Sequence, residues 1–337
     1  MLFNKKENNI VLTSRIRLAR NIDGVPFPQK LNENEINNVI KDVSDSVLNS
    51  NSAIAHEFKL IKLNDIRPLE RLSMMEKHLI SLDLVNGYLR GAVLLNRDEN
   101  VSIMINEEDH IRLQVIYPGF KVKEAFEYAN RLDDLIEEKI QYAYDAKFGY
   151  LTSCPTNVGT GIRASVMIHL PALTITKNIS NILNTVSQVG MTMRGIFGEG
   201  SNAMGNIYQI SNQVTLGLTE EEIINNLIAV TKKIIDQEMK TREMILEKQA
   251  AEIEDDIYRS IGILKYSRML SSQECLNLLS KVRMGIEMDI IKDIDFNKIN
   301  DLLVKVQPAT LQLIEGRDLD TKERDIIRAK IVRETLR

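Results

Sequence analysis

Residues 106–112, read as NEEDHIR, place three carboxylates, a histidine and an arginine between two runs of alternating apolar residues. In an extended segment, side chains two positions apart share a face, so we expect Glu108, His110 and Arg112 to point one way and the other acidic side chains the opposite way. Glu108 and Arg112 would then lie roughly 13 Å apart, a span that suits a base and a phosphate clamp serving one substrate pair. By itself, the motif is better explained as a solvated acidic loop.

Two further arginines occur in TSRIRLAR, residues 13–20. If this segment is a strand, Arg15 and Arg17 share one of its faces beside Ser14, and two guanidinium groups suit phosphate oxygens. A basic surface strand explains the segment equally well.

Two glycine-containing segments carry the remaining candidate groups. In CPTNVGTGIRASV, residues 154–166, two glycines permit close backbone approach before Arg163, which outlines an anion site without matching a Walker loop or a dinucleotide fingerprint. RGIFGEGSNAMGN, residues 194–206, supplies Arg194 and Glu199, although an ordinary connection would have the same composition. Together, these segments favour an anionic ligand held next to a cationic one, as in phosphoryl transfer from a nucleotide to a cationic acceptor.

Five motifs make this interpretation specific. SRIRLAR, EKHLIS, NEEDHIR, CPTNVGTGIRA and RGIFGEG occur in the order found in the ATP:guanido phosphotransferases, the family of creatine and arginine kinases, and this resemblance covers about residues 10–220. The chain is most similar to the bacterial branch that acts on arginine in proteins. Because SRIRLAR lies close to the first residue, we expect the chain to lack the small N-terminal domain that helps to enclose a metabolite elsewhere in the family. RDIIRA at 324–329 is similar to the phosphoarginine-recognition motif of that branch.

The resemblance implies roles for individual residues. Glu108 would be the general base, Glu199 the carboxylate that orients the guanidinium, and Cys154 the active-site cysteine. Contacts with ATP are implied for Ser14, Arg15, Ile16, Arg17, Leu18, His78, Arg112, Arg163, Ala164, Ser165, Val166, Met167, Arg194, Gly195, Ile196, Phe197, Gly198 and Glu199. Mg²⁺ is expected on the phosphates and water, with no protein ligand assigned.

The chemistry of the acceptor is consistent with these roles. A guanidinium has a pKa above about 12 and is a poor nucleophile until a carboxylate aligns it and takes a proton. Cationic neighbours would lower the pKa of Cys154, whereas a buried, inert thiol is the alternative. His78 is expected near the nucleoside, although a histidine at the end of a helix is also ordinary.

Arg324 and Arg328 lie four residues apart on a predicted helix and share a face. By resemblance, these arginines would bind the phosphate of a phosphoarginine and Asp325 its guanidinium, which would make the site allosteric. The whole segment assigned to this site is Arg324, Asp325, Ile326, Ile327, Arg328 and Ala329. A solvated helix is the alternative that composition favours.

Composition excludes some classes of partner. The 337 residues include 43 Lys and Arg and 47 Asp and Glu, which gives a net charge of −4. This composition lacks the excess of positive charge that is typical of nucleic-acid-binding proteins. Two cysteines are too few for a disulfide framework, and no apolar run reaches membrane-spanning length, so we expect a cytoplasmic protein with no membrane partner. The resemblance implies protein substrates with exposed arginines, a zinc-containing activator, the Clp protease machinery of bacterial stress response and protein quality control, and a homodimer.

Two alternatives stay open. A small-metabolite guanidino kinase would use the same chemistry, and a non-catalytic phosphoarginine-binding adaptor would use none of it. The presence of Glu108, Glu199 and the arginines argues against the adaptor.

The elements that must position these residues indicate an α+β fold, an antiparallel sheet flanked by helices, with a small all-α C-terminal domain. We expect a catalytic domain over residues 1–252 and a helical domain over 253–337. Residues 91–96, 101–106 and 111–117 predict three consecutive antiparallel strands. Helical spacing predicts helices over 125–140 and 179–186, Thr219 and Glu222 a capping box opening a helix to about residue 250, and Ser272 the cap of a later helix.

Overall fold

The structure, a computed structural model, describes residues 7–196 and 203–337. Its strands are β1 (Val11–Arg20), β2 (Phe58–Lys62), β3 (Ala92–Asn96), β4 (Val101–Ile105), β5 (Ile111–Pro118), β6 (Tyr144–Asp145), β7 (Gly149–Tyr150), β8 (Ile162–His169), β9 (Met191–Gly195) and β10 (Ile207–Asn212). Its α-helices are α1 (Glu7–Ile10), α2 (Glu33–Leu48), α3 (Pro68–Glu76), α4 (Leu82–Asn86), α5 (Val122–Glu137), α6 (Pro171–Ile175), α7 (Ile179–Gln188), α8 (Glu220–Tyr266), α9 (Ser272–Glu287), α10 (Phe296–Lys305), α11 (Pro308–Glu315) and α12 (Thr321–Thr335).

An eight-stranded antiparallel sheet forms the centre of the fold, in the order β2-β3-β4-β5-β1-β8-β10-β9. The predicted run of β3, β4 and β5 is confirmed, with Leu94 opposite Ile103 and Ile103 opposite Leu113. These strands pair antiparallel because short connections leave no room for a crossover. The α+β class is therefore confirmed.

Contacts divide the chain into two units. The sheet unit comprises Thr13–Val166 and Ser211–Ala229, and the helical unit comprises the described parts of Met1–Leu12, Met167–Ile210 and Val230–Arg337. The division into domains at residue 252 stays a prediction.

In the sheet unit, α5 covers one face of the sheet. Its buried residues recur at helical spacing, and they include Ala125, Ala129, Leu132 and Ile136. This helix packs on β5. Because the apolar stripe of a helix must be covered, α5 determines which face of the sheet remains available for polar side chains.

Helix α8 begins at the predicted capping box. The Thr219 hydroxyl accepts from the Glu222 backbone at 3.2 Å, and the Glu222 carboxylate accepts from the Thr219 backbone at 2.7 Å. The helix runs to Tyr266 but is interrupted at Gln249 (φ −143°, ψ 38°). The predicted end near residue 250 is thus a kink between two helical segments.

The helical unit is built around one hydrophobic cluster to which α8, α9, α10 and α12 contribute, together with Ala172 and Ile207 from the middle of the chain. Helix α9 begins one residue earlier than expected, because Ser271 rather than Ser272 is its N-cap and accepts from the Glu274 backbone at 3.2 Å. Among the described residues, no helix combines the length and the apolar character needed to cross a membrane.

Candidate active site

Four arginines of the sheet unit converge at one face of the sheet, and these are Arg15, Arg17, Arg112 and Arg163. In the register of β1 and β5, Arg15 is opposite Ile116 and Arg17 is opposite Gln114, and paired residues of antiparallel strands share a face. Ala19, two residues further along β1, is opposite Arg112. The Arg15 Nε donates to Ser165 Oγ at 3.4 Å, which places β8 on the same side. The predicted shared face of Arg15 and Arg17 is present.

Arg17 lies among like charges. Its pKa is held well below its ordinary value, first by burial and then by the charges of Arg15, Arg112 and Arg163. Its buried Nε has no hydrogen-bond acceptor among the described residues. A half-buried guanidinium whose Nε lacks an acceptor is costly among like charges, so this cluster suits a multiply charged anion that would supply the missing acceptor.

A cleft of about 190 Å³ opens next to these arginines. Its lining combines cationic and apolar side chains, and these are Arg15, Arg17, Met75, His78, Ile80, Ser81, Leu82, Met104, Arg112 and Gln114. Burial, and after it the charges of Arg15 and Arg17, lower the pKa of His78 to about 4. His78 therefore has a neutral imidazole at pH 7, and the cleft provides apolar walls beside an anion-binding face, as a nucleoside phosphate requires.

The acidic segment is not extended, so the predicted division of its side chains is wrong. Asn106 has a φ of 57°, and its N–H donates to the His110 carbonyl at 3.0 Å, which folds residues 106–110 into a loop between β4 and β5. As a result, Arg112 Nη1 donates to both carboxylate oxygens of Glu107, at 2.5 and 2.6 Å. Burial alone would lower the pKa of Arg112, but the charge and hydrogen bonds of Glu107, together with the charges of Glu108 and Asp109, raise that pKa. Arg112 thus bonds with the carboxylate that was expected on the opposite face.

Glu108 lies at the tip of this loop and is half-buried. Its carboxylate is hydrogen-bonded to the Cys154 side chain. Burial, and then the negative charge of Asp109, raise the pKa of Glu108 above its ordinary value. Cys154 also contacts the Thr156 hydroxyl at 3.1 Å. A carboxylate with a raised pKa beside a half-exposed thiol has the character expected of a general base.

Contacts distant in sequence hold these two residues together. Asn21 Nδ2 donates to Asp109 Oδ1 at 2.7 Å and to the Leu151 carbonyl at 3.0 Å. Asp109 Oδ1 also accepts from the Ser153 backbone at 2.6 Å. These bonds join the loop to the segment that carries Cys154. Asn21 follows directly after the arginine-containing strand β1 and was not among the residues predicted from the sequence.

His110 has a structural role instead of facing a substrate. The Ile22 N–H donates to His110 Nδ1 at 3.1 Å, so Nε2 carries the proton and donates to the Pro26 carbonyl at 2.8 Å. Burial lowers the pKa of this neutral imidazole. His110 therefore fixes the chain that follows β1.

Several residues expected at the nucleotide have side chains that face the core. These are Ile16, Leu18, Ala164 and Val166, all fully buried. Ser14 also lies on this opposite face, contrary to its expected place beside the arginines; its hydroxyl donates to the Gly119 carbonyl and accepts from the Lys121 backbone, both at 2.9 Å. Ser165 bonds to Arg15, whereas Met167 packs on the hydrophobic cluster of the helical unit. Of the predicted strand residues, those on the arginine face are the ones able to touch a ligand with their side chains.

In the helical unit, Arg194 is exposed near the end of β9. Gly195 and Ile196 follow it, and the Ile196 N–H donates to the Ile207 carbonyl at 2.9 Å. Phe197, Gly198 and Glu199 lie outside the described residues.

The RDIIRA segment lies in α12. Arg328 is buried and donates to the Val306 and Leu270 carbonyls, at 2.9 and 2.8 Å, and to Asp325 Oδ1 at 2.6 Å. Arg324 donates to the Leu319 carbonyl at 3.3 Å and to Thr321 Oγ1 at 3.1 Å. The expected pair of phosphate-binding arginines is therefore divided, because Arg328 already fastens α12 to its neighbours. Ala329 is buried, Ile327 is half-buried and Ile326 is exposed.

Within residues 7–196 and 203–337, the structure contains no cluster of three or more His, Cys, Asp or Glu side chains with the placement of metal ligands. The cationic face instead fits a ligand that brings its own oxygen donors, such as a polyphosphate.

Comparison with known proteins gives matches over nearly the whole chain. The family model described as ATP:guanido phosphotransferase, C-terminal catalytic domain, matches residues 38–241, and that described as Protein-arginine kinase McsB C-terminal domain matches residues 250–337. The protein-arginine kinase of Clostridium acetobutylicum is 53% identical over 332 residues, which cover 98% of this chain and 97% of that protein. The protein-arginine kinase of Bacillus subtilis is 48% identical over 330 residues, which cover 98% of this chain and 91% of that protein.

Solved structures show the same relationship. Lombricine kinase aligns with a TM-score of 0.59 at 28% identity, covering 68% of this chain and 66% of that chain. The duplicated taurocyamine kinase from Schistosoma mansoni aligns with a TM-score of 0.63 and covers 77% of this chain and 38% of that chain. At 22% identity, this match is evidence for the fold alone. With its motifs, its sheet and these matches in agreement, the chain belongs to the ATP:guanido phosphotransferase family and is an ATP-dependent kinase.

Proposed function

We propose that this kinase transfers the γ-phosphate of ATP to the guanidinium group of arginine residues in proteins. The observation that carries the proposal is the crowded cationic face in which Arg17 has three arginines as charged neighbours, next to the loop that carries Glu108. The full-length relatives named protein-arginine kinase, at 53% and 48% identity, support the choice of acceptor.

In this proposal, Arg15, Arg17, Arg112 and Arg163 bind the phosphates of ATP. Their charges neutralise the triphosphate and the negative charge that moves onto ADP in the transition state. The apolar walls beside His78 receive the nucleoside. By the family pattern, Arg194 also contacts the phosphates, and Mg²⁺ would be held by phosphate oxygens and water.

Glu108 acts on the acceptor. Its carboxylate takes a proton from one guanidinium nitrogen, whose electron pair forms the N–P bond while the bond from the γ-phosphorus to the bridging oxygen of ADP breaks. Its raised pKa makes Glu108 a stronger base than an ordinary glutamate. Cys154, bonded to Glu108, borders the acceptor position, and Glu199 is proposed as the second carboxylate that aligns the guanidinium plane.

The cellular setting and the regulation rest on resemblance. We propose a cytoplasmic homodimer that marks proteins for Clp-type proteolysis in stress response and protein quality control, together with a zinc-containing activator. The match of residues 250–337 to the McsB C-terminal domain supports a phosphoarginine-sensing role for RDIIRA. Such sensing is allosteric when phosphoarginine binds the active state more tightly than the inactive state. In that role Arg324 is the better candidate for the phosphate, since Arg328 is occupied by three bonds within the protein.

The experiment is incubation with γ-labelled ATP and either an unfolded protein or free arginine. We expect acid-labile label in the protein, mapped to arginine by mass spectrometry. Label that enters free arginine preferentially would favour a metabolite kinase. If no label is transferred to either acceptor, a non-catalytic binding adaptor would be the remaining alternative. The Glu108→Gln variant keeps the side-chain shape and should lose about 100-fold or more in kcat while still binding ATP. The exposed Glu127→Gln variant is the matched control.

A further inference from the structure

Helix α9 contacts the chain segment that leads into strand β10. Asn277 Oδ1 accepts from the Gly205 N–H at 3.0 Å, and Gly205 has a φ of 65°. A Cβ on Gly205 would lie 3.1 Å from the Leu276 carbonyl oxygen, so the backbone runs directly against the helix. The turn before β10 is therefore seated on α9.

One turn further along α9, a second bond holds the same segment. Asn206 Nδ2 donates to Ser280 Oγ at 2.8 Å, and the same oxygen lies 2.8 Å from His169 Nε2. Burial lowers the pKa of His169 to about 4, so its imidazole is neutral at pH 7 and Nε2 can accept the Ser280 proton. Asn206, Ser280 and His169 thus form a chain of bonds from the turn to strand β8.

This anchored turn supports Arg194. A Cβ on Gly195 would lie 2.8 Å from Ala203 Cα and 2.9 Å from its nitrogen, so the residue after Arg194 lies directly on the backbone that precedes the turn. The Ile196 N–H donates to the Ile207 carbonyl at 2.9 Å, on the other side of the turn. The backbone of Arg194 is consequently set by residues 203–207, and α9 holds two of them.

We propose that Asn277 and Ser280 are positioning residues for phosphoryl transfer, which act by fixing the backbone that presents Arg194. The C-terminal helices are then required for the geometry of the catalytic reaction as well as for regulation. The inference rests on the proposed function, because Arg194 must contribute to the reaction for its placement to matter. Displacing a charged group by about 1 Å can cost up to about 100-fold in rate.

The test is a double-mutant cycle between Asn277 and Arg194. Asn277 is exposed, so truncation leaves the core intact. We expect Asn277→Ala to lower kcat/KM by about 10-fold with an unchanged melting temperature, and to have no further effect in an Arg194→Ala background. Asn277→Asp keeps the acceptor for the Gly205 N–H and should restore most of the rate.

Ser280→Ala should behave in the same way as Asn277→Ala. Its matched control is Ser260→Ala, since Ser260 is equally buried but its hydroxyl donates to the Asp256 backbone carbonyl of its own helix at 2.7 Å. An unchanged rate in Asn277→Ala, an equal loss with and without Arg194, or a silent Arg194→Ala variant would each overturn the inference. A wild-type protein that transfers no phosphate would instead overturn the proposed function.

Discussion

The Cys154 side chain is hydrogen-bonded to the carboxylate of Glu108, and this bond opposes the effect of burial on the Glu108 pKa. Removing the thiol should therefore raise that pKa further. Since a base must be deprotonated to work, the acid limb of the pH–rate profile should move to higher pH in Cys154→Ala.

Cys154→Ser retains a donor and should shift the acid limb less than Cys154→Ala. The measurement is kcat/KM for protein substrate between pH 5 and 8. Coincident profiles for wild type and Cys154→Ala would show that the bond does not tune the base.

Arg17 should destabilise the protein in the absence of ligand, because this half-buried cation has arginine neighbours and lacks an acceptor on its Nε. Arg17→Met should raise the free energy of unfolding by on the order of 1 kcal/mol. The same variant should bind ATP about 10- to 100-fold more weakly, since it loses charge-assisted bonds to phosphate. Urea denaturation and calorimetric titration measure the two effects. Arg97→Met, at an exposed position, should change neither, and a destabilised Arg17→Met variant would contradict the anion-site interpretation.

Stability should fall in mild acid through His169. Burial lowers its pKa from 6.5 to about 4 in the folded protein. The imidazole faces Ser280 and Glu287, and the Glu287 carboxylate forms ion pairs with Arg242 and Arg283. The unfolded chain therefore takes up a proton first as pH falls through 6.5, and stability is lost until the folded pKa is reached. This site should contribute a loss of about 2 kcal/mol between pH 7 and pH 5.

The measurement is urea denaturation of wild type and His169→Gln at both pH values. The variant should lose less stability on acidification than wild type does. His56→Gln, at an exposed position, should follow wild type. Parallel losses in wild type and His169→Gln would assign the pH dependence to other groups.

The two arginines of RDIIRA should differ in their effect on stability. Arg328→Ala removes three hydrogen bonds and leaves the Val306 and Leu270 carbonyls without this donor, which should cost about 2–4 kcal/mol. Arg324→Ala should cost less than about 1 kcal/mol, because Arg324 is partly exposed and its bonds are long. Chemical denaturation measures both. If phosphoarginine is sensed here, its binding should be lost in folded Arg324→Ala, whereas equal stability losses would contradict the division of roles.

Much of the fold was predictable from local pattern. Strand alternation has a period of two, which is why residues 91–117 give three strands and why Arg15 and Arg17 share a face. The capping box at Thr219 was also predictable, because both of its partners lie within one helical turn.

The geometry around Glu108 was not predictable in this way. The pairing of Arg112 with Glu107 depends on the positive φ of Asn106, which local alternation does not indicate. The bond from Asn21 to Asp109 joins residues 88 positions apart, so it depends on the register of β1 with β5. Long-range contacts of this kind follow from the assembled sheet rather than from any single segment.

The hydrophobic cluster of the helical unit has a consequence for how the C-terminal helices can be studied. Ala172 and Ile207 are buried in the same cluster as Ile257, Leu276 and Leu302. A truncation after residue 252 would therefore remove the side chains that cover Ala172 and Ile207. Such a fragment would expose apolar surface and tend to aggregate, so its inactivity would say nothing about regulation. Point substitutions in the intact chain are the appropriate tools for separating the proposed regulatory role of these helices from their architectural role.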